Sequence, residues 1–246
     1  SSPKGVAITH KNVLSHCADL QRACEYNENS VTVTWMPYFH DYGLVEGLLE
    51  PLYNGTPCYY MSPFSFIRRP FHWLQTISHY KATHTQAPNF AYEQCVRRVT
   101  PEQRAKLDLS SWKVAGNAAE PINSKVLKDF IQTFSDCGFR PQTMCPAYGL
   151  AEATLLVTAG SSTEEPVILE LEPKALEQGQ IKKADGSESV VRKLVGCGKL
   201  VCDTKVAIIN PQTLTRCPAN EVGEIWVSSA SIAQGYWQRK EATEET

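Results

Sequence analysis

Apolar and polar residues alternate along the first 150 positions with two different periods. Val31 to Met36 (VTVTWM) is a short β-rich run, and Pro57 to Met61, Thr83 to Ala87 and Trp112 to Ala115 are three more. Between them, apolar residues fall at near-helical spacing. Asn12 to Tyr26 carries Val13, Leu14, Cys17, Leu20 and Cys24, and Phe66 to Tyr80 carries Ile67, Phe71, Leu74 and Ile77. Asn89 to Val99 and Asn123 to Phe134 repeat the pattern, and Thr9 stands where a helix cap belongs. Strands alternating with helices at this spacing predict an α/β fold, a mostly parallel sheet with flanking helices.

The texture changes after about Thr158. Ser161 to Pro166 is polar and turn-like, and Asp185-Gly186 within Lys182 to Ser189 is a hairpin-type signal. Lys205 to Asn210 and Gly223 to Ser228 read as strands joined by the turn-rich Pro211 to Asn220. Residues 1–158 are therefore expected to form the α/β part, and 159–246 a smaller β-rich subdomain. Both ends of the chain are abrupt, which suggests a segment of a longer protein.

Composition narrows the function classes. With 24 basic and 26 acidic side chains the net charge is −2, without the basic excess of an electrostatic nucleic-acid binder. No apolar run approaches the ~18 residues that would suggest a membrane span, and Ser1 to Gly5 has no apolar stretch of signal-peptide type. The nine cysteines show no CxxC spacing, and several sit in apolar runs. This reads as reduced, mostly buried thiols in a cytoplasmic protein.

Four stretches carry candidate chemistry. Ser1 to Gly5 ends in Lys4, so it can offer backbone N–H groups and an ammonium to a polyphosphate, or it is a frayed terminus. Pro37 to Leu44 follows a strand and sets His40-Asp41 among aromatics, either as a pocket wall with an orienting imidazole or as a helix start. Ala115 to Pro121 follows another strand with small residues that let a planar ring approach the backbone, or it is a plain strand-to-helix loop. Cys145 to Thr154 offers Tyr148 in a Gly149 turn as a stacking face. Its Glu152 is a carboxylate for a divalent cation or for a helix N-terminus.

The order of these stretches is more specific than any one of them. Pro-Lys-Gly, His-Asp-x-Gly-Leu, Asn-x-Ala-Glu-Pro, Tyr-Gly-Leu-Ala-Glu-Ala-Thr and Gly-Glu-Ile-Trp-Val, in that sequence, resemble the adenylate-forming superfamily over essentially the whole chain. Pro37 to Leu44, Asn89 to Glu93 with Cys95, Tyr148 to Leu155 and Ile232 to Trp237 are most similar to the fatty acyl-AMP ligases. The resemblance implies ATP and Mg2+ as cofactors and a fatty acid as substrate, with an acyl carrier protein as a possible acceptor in polyketide or lipopeptide assembly. By position it makes Lys4 the end of the phosphate loop, and sets Asn117, Ala118, Ala119 and Glu120 along the adenine. Tyr148 then lies against the adenine beside Gly149, Glu152 is the magnesium ligand, and His40 with Asp41 lies between acyl and nucleotide pockets. The chain departs from the family with Ala118 for a usual Gly and Ala230 for the Gly of a Ser-Gly. The family's ribose-binding Asp and its C-terminal domain with a catalytic Lys would lie beyond Thr246.

A carboxylate is already ionised near pH 7, so its attack on the α-phosphorus of ATP requires charge neutralisation and alignment, with no general base. Phe64, Phe66, Ile67, Phe71, Trp73, Phe90 and Tyr92 are candidates for an apolar acyl pocket or for the core, with helical spacing favouring core for Phe71 and Leu74. Acyl-AMP ligases differ from acyl-CoA ligases by an inserted segment that hinders domain movement, for which Glu170 to Val195 is the candidate here. A fatty acyl-CoA synthetase and an inactive adenylate-forming fold used as a binding module remain open at this point. The isolated chain is expected to form little or no acyl-adenylate.

Overall fold

The computed structural model describes residues 3–186 and 190–246. Five strands run parallel through its centre: β1 (Thr32–Thr34), β2 (Cys58–Tyr60), β3 (His84–Ala87), β4 (Val114–Asn117) and β5 (Met144–Gly149). Two more, β6 (Leu156–Ala159) and, after a separate ribbon of β7 (Ile168–Leu171) and β8 (Arg192–Val195), β9 (Lys199–Leu200), extend the sheet antiparallel. The order is β2-β1-β3-β4-β5-β6-β9. All residues of β1, β3 and β4 are buried, as expected for a parallel sheet covered on both faces.

The flanking helices are α1 (His10–Ala23), α2 (Asp41–Leu44), α3 (Glu50–Asn54), α4 (Pro63–Arg68), α5 (Pro70–Tyr80), α6 (Asn89–Arg98), α7 (Pro101–Arg104) and α8 (Ser124–Phe134). Thr9 caps α1 as expected, accepting from Asn12 N–H in a reciprocal capping box. The single helix expected over 66–80 is two helices. Pro70 disfavours helical backbone at the residue before it, and Arg69 stands at φ −145°, ψ 81°. The strand expected over 112–115 begins at Val114 and runs to Asn117, because pairing with β3 and β5 on either side draws the low-propensity Gly116 and Asn117 into the ladder.

Aromatic rings fill the core between sheet and helices. Trp35 stacks on Phe66 at 4.0 Å, and Trp73 meets Tyr92 and Trp112 edge-on. Phe66, Trp73 and Tyr92, candidates for an acyl wall, are wholly buried in this cluster, and so is Leu74. Phe71 and Phe90 are half-buried against it, whereas Phe64 and Ile67 are exposed.

Between α2 and α3 the helix passes through a π-helical turn, Val45–Leu49, before Gly55 ends it at φ 64°. No apolar periodicity announces this helix, because Glu46 and Glu50 occupy its buried face. Burial pushes the Glu46 carboxyl up to about 8, with Glu50 adding to it, and the Glu50 carboxyl up to about 7.

Beyond β6 the chain is β-rich. A second small sheet has the order β11 (Thr215–Arg216), β10 (Lys205–Asn210), β12 (Glu224–Ser228). Helices there are short: α9 (Pro173–Glu177) and α10 (Lys240–Glu244). The turn expected at Asp185-Gly186 has Gly186 at φ 89°, and its continuation, Ser187 to Ser189, lies outside the described residues. β9 returns to the main sheet, and Asn12 Nδ2 at the start of α1 donates to Ala230 O and Ile232 O at 2.9 and 2.8 Å. The β-rich part is thus tied to the α/β part through β9 and through α1, among other contacts.

Candidate active site

β1, β4 and β5 run in the same direction, so the segments after Thr34, Asn117 and Gly149 emerge at one edge of the sheet, where parallel sheets bind ligands. A cleft of about 200 Å³ opens there. His40, Asp41 and Tyr42 form one wall, Ala118 and Ala119 another, and Gly149 with Leu155 and Leu156 the third. The walls are kept thin by small residues. A Cβ on Gly149 would lie 2.0 Å from Leu155 O, and one on Gly116 would lie 2.7 Å from Tyr42 Oη. Ala119 is held at φ 70°, a conformation an L-residue keeps only when its surroundings impose it.

His40 stands both at the start of a helix and at the cleft. It is the N-cap of α2, its Nδ1 accepting from Tyr42 N–H at 3.1 Å and lying 2.7 Å from Asp41 Oδ1, and its half-exposed ring also lines the cleft. Asn117 is different. Its side chain is fully buried, with Nδ2 4.0 Å from Met144 Sδ and Oδ1 without a hydrogen bond. Glu120 turns away as well, accepting from Phe90 N–H at 2.6 Å in the first turn of α6. Tyr148 is half-buried on β5 opposite Thr158 of β6, beside the cleft wall at Gly149.

Glu152 lies on the short 3-10 turn Ala151–Ala153 that follows β5. It borders a second cleft of about 310 Å³, whose walls include Trp226, Gln234, Tyr236 and Thr243. Its backbone carbonyl accepts from Ala233 N–H at 2.8 Å, and its Oε1 accepts from the Tyr236 hydroxyl. Lys4 Nζ sits 4.2 Å from the centroid of the Tyr236 ring. The structure therefore gathers His40, Ala118, Ala119 and Gly149 in one cleft and sets Glu152 at the next, with Lys4 against the ring of Tyr236. It points the Asn117 and Glu120 side chains elsewhere.

Glu152 suits a magnesium ion as a single ligand. Its Oε2 carries no hydrogen bond to any described residue, and such ions are commonly held by one or two carboxylates together with substrate phosphates and water. Among the described residues there is no cluster of three or more His, Cys, Asp or Glu side chains that could form an all-protein cage.

Sequence patterns assigned no role to three residues around these clefts. The buried ring of Tyr42 backs the first cleft against Gly116. His16, on α1, accepts Leu156 N–H at Nε2 (3.1 Å), and burial lowers it to about 4, so it acts as a neutral acceptor under the cleft floor. Tyr236 bridges Lys4 and Glu152, and its hydroxyl is pushed up by the hydrogen bond to that carboxylate. The nearest signal in the sequence is Gly235, at φ 125°, immediately before it.

The family model for the AMP-binding enzymes matches residues 1–237. The medium-chain-fatty-acid–[acyl-carrier-protein] ligase JamA of Moorena producens is 53% identical over 100% of this chain and 42% of its own length. The corresponding TtuA of Teredinibacter turnerae is 41% identical over 99% of the chain and 38% of its own. The crystal structure of a fatty acyl-adenylate ligase from L. pneumophila, in complex with acyl adenylate and pyrophosphate, superposes with a TM-score of 0.95 at 41% identity. That match covers 99% of this chain and 43% of the other. The chain thus spans about two fifths of the length of the relatives it matches. By motif order, sheet topology and the match over 1–237, the chain belongs to the AMP-binding enzyme family.

Proposed function

We propose that this chain forms the nucleotide- and acyl-binding part of a fatty acyl-AMP ligase, which joins a fatty acid to AMP and releases pyrophosphate. The observation that carries this reading is the convergence of His40, Ala118, Ala119 and Gly149 in one cleft, with Glu152 three residues further on. It occurs in a chain so alike to a ligase solved with acyl adenylate and pyrophosphate. The fatty-acid carboxylate attacks the α-phosphorus, the P–O bond to the β-phosphate breaks, and the electron pair leaves on pyrophosphate. The task of the protein is to hold two anions in line and to spread the charge on the phosphates.

In this reading the adenine lies between Tyr148 and the Ala118-Ala119 wall, reached by the backbone of Asn117 and Glu120 while their side chains serve the fold. Lys4 meets the phosphates. Glu152 holds Mg2+, which when bound supplies neutralising charge to them. His40 stands between nucleotide and acyl carboxylate, and its cap on α2 fixes the ring there. The acceptor is an acyl carrier protein, as named for two relatives, in polyketide or lipopeptide assembly. The nine free thiols suit a reaction in the cytoplasm. We also divide the chain into 1–158, which binds nucleotide and acyl group, and 159–246. Within the latter, the ribbon of β7 and β8 around Glu170 to Val195 is the segment that disfavours the thioester step.

The test is product analysis of the protein at the length of its relatives, with ATP and a fatty-acid series, with and without coenzyme A and carrier protein. The expected products are pyrophosphate and acyl-adenylate, then, with carrier protein present, the acylated carrier protein and AMP. Abundant acyl-CoA would make it a CoA ligase. Nucleotide binding without pyrophosphate release for any fatty acid would make it a binding module.

A further inference from the structure

Three stretches far apart in sequence meet at one side chain. Gly5 to Ala7 runs alongside Gln234 to Trp237, with Ala7 N–H donating to Gly235 O at 2.9 Å, Gln234 N–H to Ala7 O at 2.9 Å and Trp237 N–H to Gly5 O at 2.7 Å. The same segment is fastened to the turn that carries Glu152. Ala233 N–H donates to Glu152 O, and Thr154 Oγ1 donates to Ser231 O at 2.6 Å. Tyr236 is fixed where they join: its N–H donates to Thr243 Oγ1 at 2.9 Å, its hydroxyl donates to Glu152 Oε1, and Lys4 lies over its ring.

The arrangement sets an ammonium against the face of Tyr236 and a carboxylate at its hydroxyl. Lys4 and Glu152 make no ion pair with each other or with any other described residue within 4.0 Å. A flexible lysine and a glutamate held on the same tyrosine attract each other, and a direct pair would occupy both. The aromatic ring attracts the ammonium through its face without neutralising it, while the hydroxyl orients one carboxylate oxygen and leaves Oε2 open.

The geometry points to Tyr236 as a positioning residue that holds Lys4 and Glu152 apart, one aimed at the polyphosphate and the other at the cation. This rests on the roles proposed above for Lys4 and Glu152. Sequence patterns offer no such role, because the three residues lie 84 or more positions apart in the closest pair, Glu152 and Tyr236.

The test uses Tyr236→Phe, which keeps the ring and loses the hydroxyl, Tyr236→Leu, which loses both, and Glu152→Gln, all at the length of the relatives. Pyrophosphate release is titrated with Mg2+, and ATP affinity is measured by calorimetry with and without Mg2+. Tyr236→Phe should raise the half-saturating Mg2+ concentration about tenfold, as for a hydrogen bond to a charged group, and leave Mg2+-free ATP affinity unchanged. Tyr236→Leu should in addition weaken Mg2+-free ATP binding about threefold, the size of an exposed cation–π contact. A wild-type Mg2+ response in Tyr236→Phe, while Glu152→Gln shifts it, overturns the positioning role alone. A wild-type response in Glu152→Gln overturns the reading of Glu152 and this inference with it. Parallel losses in both affinities that track a fall in Tm would make Tyr236 a structural residue and also overturn it.

Discussion

The two neighbouring clefts are built by opposite means. The one at Gly149 owes its shape on two sides to what is missing: Ala118, Ala119 and Gly149 present backbone and at most a methyl opposite the His40-to-Tyr42 wall, so space is the first constraint there. The one at Glu152 is bordered by a carboxylate and aromatic rings, Glu152, Trp226 and Tyr236, with Lys4 over the Tyr236 ring, and is held by a network of backbone hydrogen bonds from Gly5 to Ala7 and Ala233 to Trp237. A shape-made site fails when an atom is added, and a charge-made site fails when a charge is removed. The two should therefore separate cleanly under mutation.

Gly149→Ala gives the largest effect. The added methyl would meet the Leu155 carbonyl at 2.0 Å, a backbone atom with no freedom to swing aside, so the β5–β6 return must move. We expect destabilisation of about 3 kcal/mol or more, a fall in Tm of about 10 °C for a chain of this size, and loss of measurable adenylate formation. Thermal melts and pyrophosphate release at the length of the relatives check this. A variant that melts like wild type would show that shape is not the constraint there.

Glu152→Gln tests the other cleft. An amide matches the carboxylate in size but carries no charge for a cation. We expect a fall in magnesium-dependent rate of about a hundredfold, the size seen when one electrostatic donor is lost, with Tm within about 2 °C of wild type. Wild-type rates across magnesium concentrations would reduce Glu152 to a partner of Tyr236 and the Ala233 backbone.

The contrast also explains what was legible in the sequence. The parallel sheet and its helices were readable because α1, α5, α6 and α8 bury apolar residues at helical spacing and the buried strands are compact runs. The cleft was readable because small residues after a strand announce a close approach. The helix from Asp41 to Asn54 was hidden by buried acids, which invert the usual pattern. Pro70 gave notice of the break between α4 and α5, but the apolar period runs through it. The inward turn of Asn117 and the outward turn of Glu120 depend on which side of β4 faces Met144 and α6, and only pairing register decides that. Tyr236 was illegible as a bridge because its partners Glu152 and Lys4 stand 84 and 232 positions away along the chain.

Buried acids give the next prediction. Glu46 and Glu50, one turn apart behind Tyr42, have pKa values of about 8 and about 7, raised above their ordinary value. The folded state therefore holds protons that the unfolded chain has already released. Their contribution to stability is complete below about pH 4.5 and is lost as pH rises through 7 and 8. His16 and His84, both lowered to about 4 by burial, act in the reverse sense, and their contribution is lost as pH falls below about 6.5. Tm should pass through a maximum in mildly acidic buffer and fall by several degrees toward pH 9. Glu46→Gln should flatten that alkaline limb and leave the acid limb in place. An unchanged alkaline slope in Glu46→Gln would mean that the carboxyl is ionised in the folded protein.

The smallest effect is expected where the chain departs from its family. Ala118 stands where the resemblance to the adenylate-forming enzymes implies Gly, and it lines the cleft beside Ala119. If shape governs this cleft, Ala118→Gly should enlarge it and let a purine ring approach the β4 backbone more closely, a change in ATP affinity of about two- to fivefold. The gain is bounded because a glycine also loosens the unfolded chain and the loop, at a cost of about 0.5–1 kcal/mol. Calorimetric ATP titration of Ala118→Gly beside wild type reads the difference directly. Tighter nucleotide binding with a slightly lower Tm would set the methyl of Ala118 as the present limit on nucleotide approach. Weaker binding would show that the wall works by contact, with the methyl packing on the ring, and would bring the first cleft closer in kind to the second.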